Sequence, residues 1–165
     1  MKRTLLINLL MLLHVPLIAQ ESLDKVLKKY NHEKVPYISA IELQNLKQNN
    51  KVIVLDSRES NEFKVSHIEG AILVGYDDFK PSSLPESVNK NTPLVVYCTL
   101  GVRSEVVANE LIERGYRDVK NLYGGISEWK NKDYEVLDST QTPTENIHVY
   151  SKKWGKWLTK GNPIY

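Results

Sequence analysis

Cys98 is the only cysteine of the chain, and it stands inside residues 94–115, LVVYCTLGVRSEVVANELIERG. The apolar run Leu94-Val95-Val96-Tyr97 precedes it, Thr99-Leu100-Gly101-Val102-Arg103 follows, and Ser104 opens a segment with helical spacing. This order predicts a strand, a short loop and a helix start. The first amides of a helix have no intrahelical partner and carry the positive end of its dipole, so such a loop holds anions. A thiolate is an anion, and those amides together with the Arg103 charge would lower the Cys98 pKa and make it a nucleophile at neutral pH. Gly101 permits the positive φ that a tight loop with inward amides requires. Cys98 also reads as a small buried hydrophobe closing a strand, an ordinary place for a free cysteine. Composition leaves both readings open.

The elements that must position this loop follow from the hydrophobic pattern. Residues 51–55, Lys-Val-Ile-Val-Leu, form a continuous apolar run of the kind buried on both faces of a parallel sheet, and Asp56-Ser57-Arg58 follows at its carboxyl end. Further strands are expected at 37–38, 67–74 and 119–122. Helices are expected at 22–30 with Ser22 as cap, after Ser39 with a capping box to Glu42, at 61–65, from Ser104 to a stop at Gly115, and at 126–129. One helical turn is expected near 84–88. Alternating strands and helices predict an α/β domain with a mainly parallel sheet. In such sheets ligands sit outside the carboxyl ends of the strands, where Asp56 and Cys98 both fall.

The termini carry other signals. Met1-Lys2-Arg3 precedes an apolar run over 5–19 that is too short to span a bilayer, which predicts a signal peptide at 1–19 cleaved after Ala19, hence an exported, periplasmic protein. Cleavage would leave 20 basic residues against 20 acidic ones, a balance that excludes the basic surface a nucleic-acid partner needs. A single cysteine rules out an internal disulfide and flags a free thiol in an oxidising compartment. Residues 20–36 are expected as a helix and its connection, 37–137 as the main domain, and 138–165 as a linker and tail. That tail interleaves Tyr150, Trp154, Trp157 and Tyr165 with lysines. It is expected either to pack back as an amphipathic helix or to dock a protein partner or an anionic membrane.

Three segments together resemble the rhodanese-like family of single-domain sulfurtransferases: LDSRESNEFKVSHIEGA (55–71), YCTLGVRS (97–104) and RGYRDVKNLYGGISEW (114–129). The resemblance spans roughly 37–134 and implies a parallel five-stranded sheet with helices on both faces. In this family a six-residue loop, counted here from Cys98 to Arg103, belongs to sulfur-handling members. Phosphatases and arsenate reductases of the same fold have one residue more, around a larger oxyanion. The resemblance therefore implies a Cys98 persulfide formed from a small anionic donor such as thiosulfate and passed to cyanide or a thiol, a two-step covalent catalysis with no metal or cofactor. Thr99, Leu100, Gly101, Val102 and Arg103 would bind the anion. Asp56, Arg58 and Ser104 would support the loop structurally, and His67 and Trp129 are expected to pack. The sequence departs from the family at Ser66, where glycine is usual, and at Glu69, where proline is usual. The competing readings are a non-catalytic module that binds a partner and, disfavoured by the short loop, a phosphatase or arsenate reductase.

Overall fold

The computed structural model describes residues 15–32 and 34–165. Most of the leader expected at 1–19 lies outside them. The first helix, α1, runs Val15–Tyr30, so Ser22 lies within the helix and not at its cap. Among the described residues no helix is long and apolar enough to cross a membrane.

The chain continues through β1 (Tyr37–Ile38), α2 (Ala40–Gln48), β2 (Ile53–Asp56), α3 (Ser60–Val65) and β3 (Ile72–Leu73). After these come β4 (Leu94–Tyr97), α4 (Arg103–Glu113), β5 (Val119–Leu122), α5 (Gly125–Asn131), β6 (Asn146–His148), α6 (Lys152–Gly155) and β7 (Asn162–Ile164). Strands β1 to β5 form one parallel sheet in the order β1-β5-β4-β2-β3. The capping box forms as the sequence predicts: the Glu42 amide donates to Ser39 Oγ at 3.2 Å and the Ser39 amide to the Glu42 carboxylate at 2.9 Å.

All four residues of β4 are buried, and their alternation divides the core. Val95 and Tyr97 face one side with Leu43, Ile126 and Trp129; Leu94 and Val96 face the other with Val107, Ala108 and Leu111. Helices thus cover both faces, which is why a central strand of a parallel sheet reads as unbroken apolar sequence. The register sets Asp56 opposite Tyr97, so the carboxyl ends of β2 and β4 are level.

Two expectations are corrected. The helical turn expected near 84–88 is a single non-helical turn, closed by the Val88 amide donating to the Pro85 carbonyl at 2.8 Å, and a short 3-10 helix precedes it at Pro81–Ser83, where a proline at its start has its φ already set. The tail is not an amphipathic helix. Only Lys152–Gly155 is helical, while β6 and β7 pair in parallel, because Tyr150 and Gly161 hold positive φ on either side and Pro163 cannot extend a helix. Residues 138–144 do not run free either: Leu137 bridges both His67 and Pro143, and the Ser139 amide donates to the Lys64 carbonyl at 3.1 Å. Ile147 and Val149 are fully buried in the α5 face of the core.

Beneath the carboxyl ends lies a charged pair with no solvent access. Arg58 Nη2 donates to Asp56 Oδ2 at 2.6 Å with both side chains fully buried, and to the Ser66 carbonyl at 2.7 Å. The Arg58 guanidinium also lies 5.5 Å from the centroid of the Tyr97 ring. Removing one partner would strand the other as an uncompensated buried charge. Arg58→Ala is therefore expected to cost about 3–5 kcal/mol of unfolding free energy, read by urea denaturation; a loss below about 1 kcal/mol would show that water already solvates the pair.

Candidate active site

The site is built at the end of β4, where the chain must leave the sheet and turn into α4 within the loop from Cys98 to Arg103. Its curvature is held from behind. The amide of Ile126 donates to the Cys98 carbonyl at 2.9 Å, and that of Ser127 to the Thr99 carbonyl at 3.2 Å. The orphan amides at the start of α5 are thereby satisfied, and the loop's carbonyls face away from the thiol. The contact is so close that a Cβ on Gly125 would lie 2.3 Å from the Cys98 carbonyl oxygen, at a φ of +54°. Only glycine fits there.

Polar side chains fix the rest of the loop. Asn121 Nδ2 and Asn31 Nδ2 both donate to the Gly101 carbonyl, at 2.8 and 2.9 Å. Gly101 itself has φ +111°. Its amide consequently turns inward and donates to Cys98 Sγ at 3.1 Å. Ser104 Oγ lies 3.5 Å from Sγ and 2.7 Å from Asn121 Oδ1. Its one proton has both acceptors within reach, and the shorter bond to Asn121 fixes where the hydroxyl stands beside the sulfur.

Cys98 is 2% exposed. Burial pushes its pKa up, but the Arg103 charge, the Ser104 hydroxyl and amide and the Gly101 amide pull it further down, so it lies below the ordinary thiol value. The balance favours the thiolate, the reactive form.

Arg103 does not stand free beside the sulfur. Its Nη1 and Nη2 donate to the two oxygens of Glu62 at 2.6 and 2.7 Å, and Nη2 also reaches Thr99 Oγ1 at 3.2 Å. Such a fork-to-fork pair fixes the plane of the guanidinium. Burial raises the Glu62 pKa and Arg103 more than offsets it, so Glu62 stays ionised. Tyr150 places its ring 5.1 Å from the guanidinium of Arg103. His148 Nδ1 lies 3.6 Å from Glu62 Oε1. Burial lowers the His148 pKa; Glu62 opposes this, and Arg58 and Arg103 add to it. The net effect favours the neutral ring.

A pocket of about 290 Å³ opens over the sulfur, lined by the loop, by Glu59, Tyr76 and Asp77, and by Tyr150 and Trp154. Leu100 is buried with Leu23, Leu27 and Trp157, and Val102 packs against them. Asp56 and Arg58 lie under the site as their mutual pair. His67 stacks on Phe63 at 4.0 Å, and Trp129 is 2% exposed in the core. Among the described residues no cluster of His, Cys, Asp and Glu could hold a metal.

Glu62, Asn121, Asn31, Gly125, His148, Tyr150 and Trp154 were not singled out for this site from sequence. One signal was present: Asn121 is a polar residue inside a strand of a buried sheet, where an amide requires partners.

Residues 39–132 match the family described as rhodanese-like domain. A tRNA uridine(34) hydroxylase of Chlamydia muridarum is 30% identical over 122 residues, covering 65% of this chain and 37% of that protein. The enzyme of the same name from Staphylococcus aureus (strain Newman) is 32% identical over 111 residues, covering 64% and 34%. The chain thus spans about a third of the length of these curated relatives. Among solved structures, a rhodanese-like domain protein of Staphylococcus aureus superposes with a TM-score of 0.50 at 33% identity, covering 58% of this chain and 91% of that one. The human single-domain sulfurtransferase superposes with a TM-score of 0.54 at 23% identity, covering 59% and 97%.

The depressed thiol pKa has a direct readout. The rate of Cys98 alkylation by iodoacetamide should rise with a midpoint below the ordinary thiol value, and Arg103→Ala should move that midpoint upward because it removes the largest of the effects that lower it. A midpoint at or above about 8.5, the value of a free thiol, would overturn the assignment of a stabilised thiolate.

Proposed function

Because the chain belongs to the rhodanese-like domain family, we propose that it is a sulfurtransferase in which Cys98 carries the sulfur as a persulfide. The observation that carries this reading is the position of Sγ on the floor of the pocket, 3.1 Å from the Gly101 amide and with its pKa lowered. In the first half-reaction the thiolate attacks the outer sulfur of a donor such as thiosulfate. The Sγ–S bond forms, the S–S bond of the donor breaks, and sulfite leaves with the electron pair. The terminal sulfur of the persulfide takes the negative charge that the thiolate gave up, and the inward amides of the loop stabilise it as preorganised donors. In the second, cyanide or a thiol attacks that sulfur and returns the thiolate. Both steps need only the cysteine and its amides.

Several features support this reading beside the family. The loop has six residues from Cys98 to Arg103, a ring suited to one sulfur atom. Its arginine is locked by Glu62, so it orients the loop and tunes the thiol more than it offers a free cation to substrate. The hydroxylation of tRNA named for the curated relatives is not carried over, since the chain aligns with about a third of their length. A non-catalytic module would have no use for a thiol placed in this way with its pKa lowered.

Intact-mass measurement after incubation with thiosulfate tests the proposal. The wild type should gain the mass of one sulfur, lose it on addition of cyanide with release of thiocyanate, and Cys98→Ser should gain nothing. Hydrolysis of an aryl phosphate without any sulfur uptake would instead support the phosphatase reading.

A further inference from the structure

We infer that the pocket over Cys98 selects a small organic persulfide bearing an ammonium group over an inorganic dianion, with Asp77 and Trp154 as specificity-determining residues. This inference rests on the sulfurtransferase reading and names the substrate class for the same site.

The charges around the sulfur point away from a dianion. Arg103 is the one basic side chain lining the pocket among the described residues, and its two terminal nitrogens are already engaged by Glu62 at 2.6 and 2.7 Å. The ring of Tyr150 lies over it as well. Two further carboxylates, Glu59 and Asp77, line the same pocket. Glu59 Oε1 accepts the amides of Tyr76 and Asp77 at 3.1 and 3.2 Å, which holds the acidic rim in place. A dianion entering would meet two carboxylates and an arginine already paired with a third, Glu62, and in a partly desolvated pocket like charges repel more strongly than in water.

The remaining walls suit a cation with an apolar body. Trp154 and Tyr76 contribute aromatic surface beside those carboxylates. Aromatic faces with acidic neighbours attract an ammonium group. Trp154 is braced by Tyr30, with ring centroids 5.9 Å apart, and by Trp157 at 5.8 Å, so its ring is preorganised. The volume of about 290 Å³ accommodates a small organic molecule. Trp154 and Tyr150 lie beyond residues 39–132, so this wall is supplied by the C-terminal segment of this particular chain.

With such a donor, R–S–S–H, the Cys98 thiolate attacks the outer sulfur. The Sγ–S bond forms, the donor's S–S bond breaks, and R–S⁻ departs with the electron pair. The hydrogen stays on the transferred sulfur, so no external oxidant or reductant is needed.

Single-turnover sulfur uptake by Cys98, followed by intact mass, should be measured with cysteamine persulfide, with 3-mercaptopropionate persulfide, and with thiosulfate. The wild type is expected to prefer the ammonium donor to the carboxylate donor by about tenfold or more in second-order rate constant. Asp77→Lys, a change at an exposed position, should erase or invert that preference and speed uptake from thiosulfate. Trp154→Ala should slow the ammonium donor about tenfold more than it slows the carboxylate donor, and Trp154→Phe should restore the difference. Equal rates for the two organic donors, thiosulfate as the fastest donor, or a preference indifferent to Asp77→Lys would overturn the inference while leaving the sulfurtransferase reading intact. No uptake from any of the three donors would defeat that reading, and the inference with it.

Discussion

The contact between the carbonyls of Cys98 and Thr99 and the first amides of α5 is the constraint from which the rest of the site follows. A six-residue loop between a strand and a helix can turn either its carbonyls or its amides toward the centre. Once Ile126 and Ser127 engage the two carbonyls from behind, the inward side is left to the amides. The geometry admits no side chain at Gly125, where a Cβ would meet the Cys98 carbonyl oxygen at 2.3 Å. Two orphan donors of one helix and two acceptors of a neighbouring loop are thereby satisfied by the same contact, as buried backbone groups require.

Charge is distributed around this loop in two layers. Asp56 and Arg58 neutralise each other under the strand ends with no solvent contact, and their role is to hold the chain segments that carry the second layer. Above them Glu62 and Arg103 form a bidentate pair at the mouth. That pair engages both terminal nitrogens of Arg103, yet leaves its charge close enough to lower the Cys98 pKa. Orientation of the loop and activation of the thiol are thus supplied by one residue.

Segments flanking the matched domain complete the site. Leu23 and Leu27 of α1 and Trp157 of the C-terminal segment bury Leu100 between them, and Asn31 donates to the Gly101 carbonyl from the same N-terminal side. Tyr150 and Trp154 add to the pocket wall, Trp154 packing against the same cluster. The loop is clamped from both ends of the chain, and the hydrophobic burial that does so is the ordinary driving force of a core.

Read alone, the chain determined the sheet, the position of the cysteine at a strand end, the six-residue loop and the capping box at Ser39, because each is a local pattern: apolar period, loop length, or a hydroxyl three residues before a carboxylate. Residues 94–97 read as a buried strand and are one. The tail did not yield to the same reading. Trp154, Trp157 and Leu158 have helical spacing, but positive φ at Tyr150 and Gly161 and the pairing of β6 with β7 override it. Glu62 and Asn31 were equally illegible, since they lie 41 and 70 residues from the loop atoms they bind and no local period records such a distance. Only the tertiary structure decided which charges surround the thiol and which aromatic rings wall its pocket, because electrostatic and packing partners are set by proximity in space, which the sheet order imposes and sequence spacing does not encode.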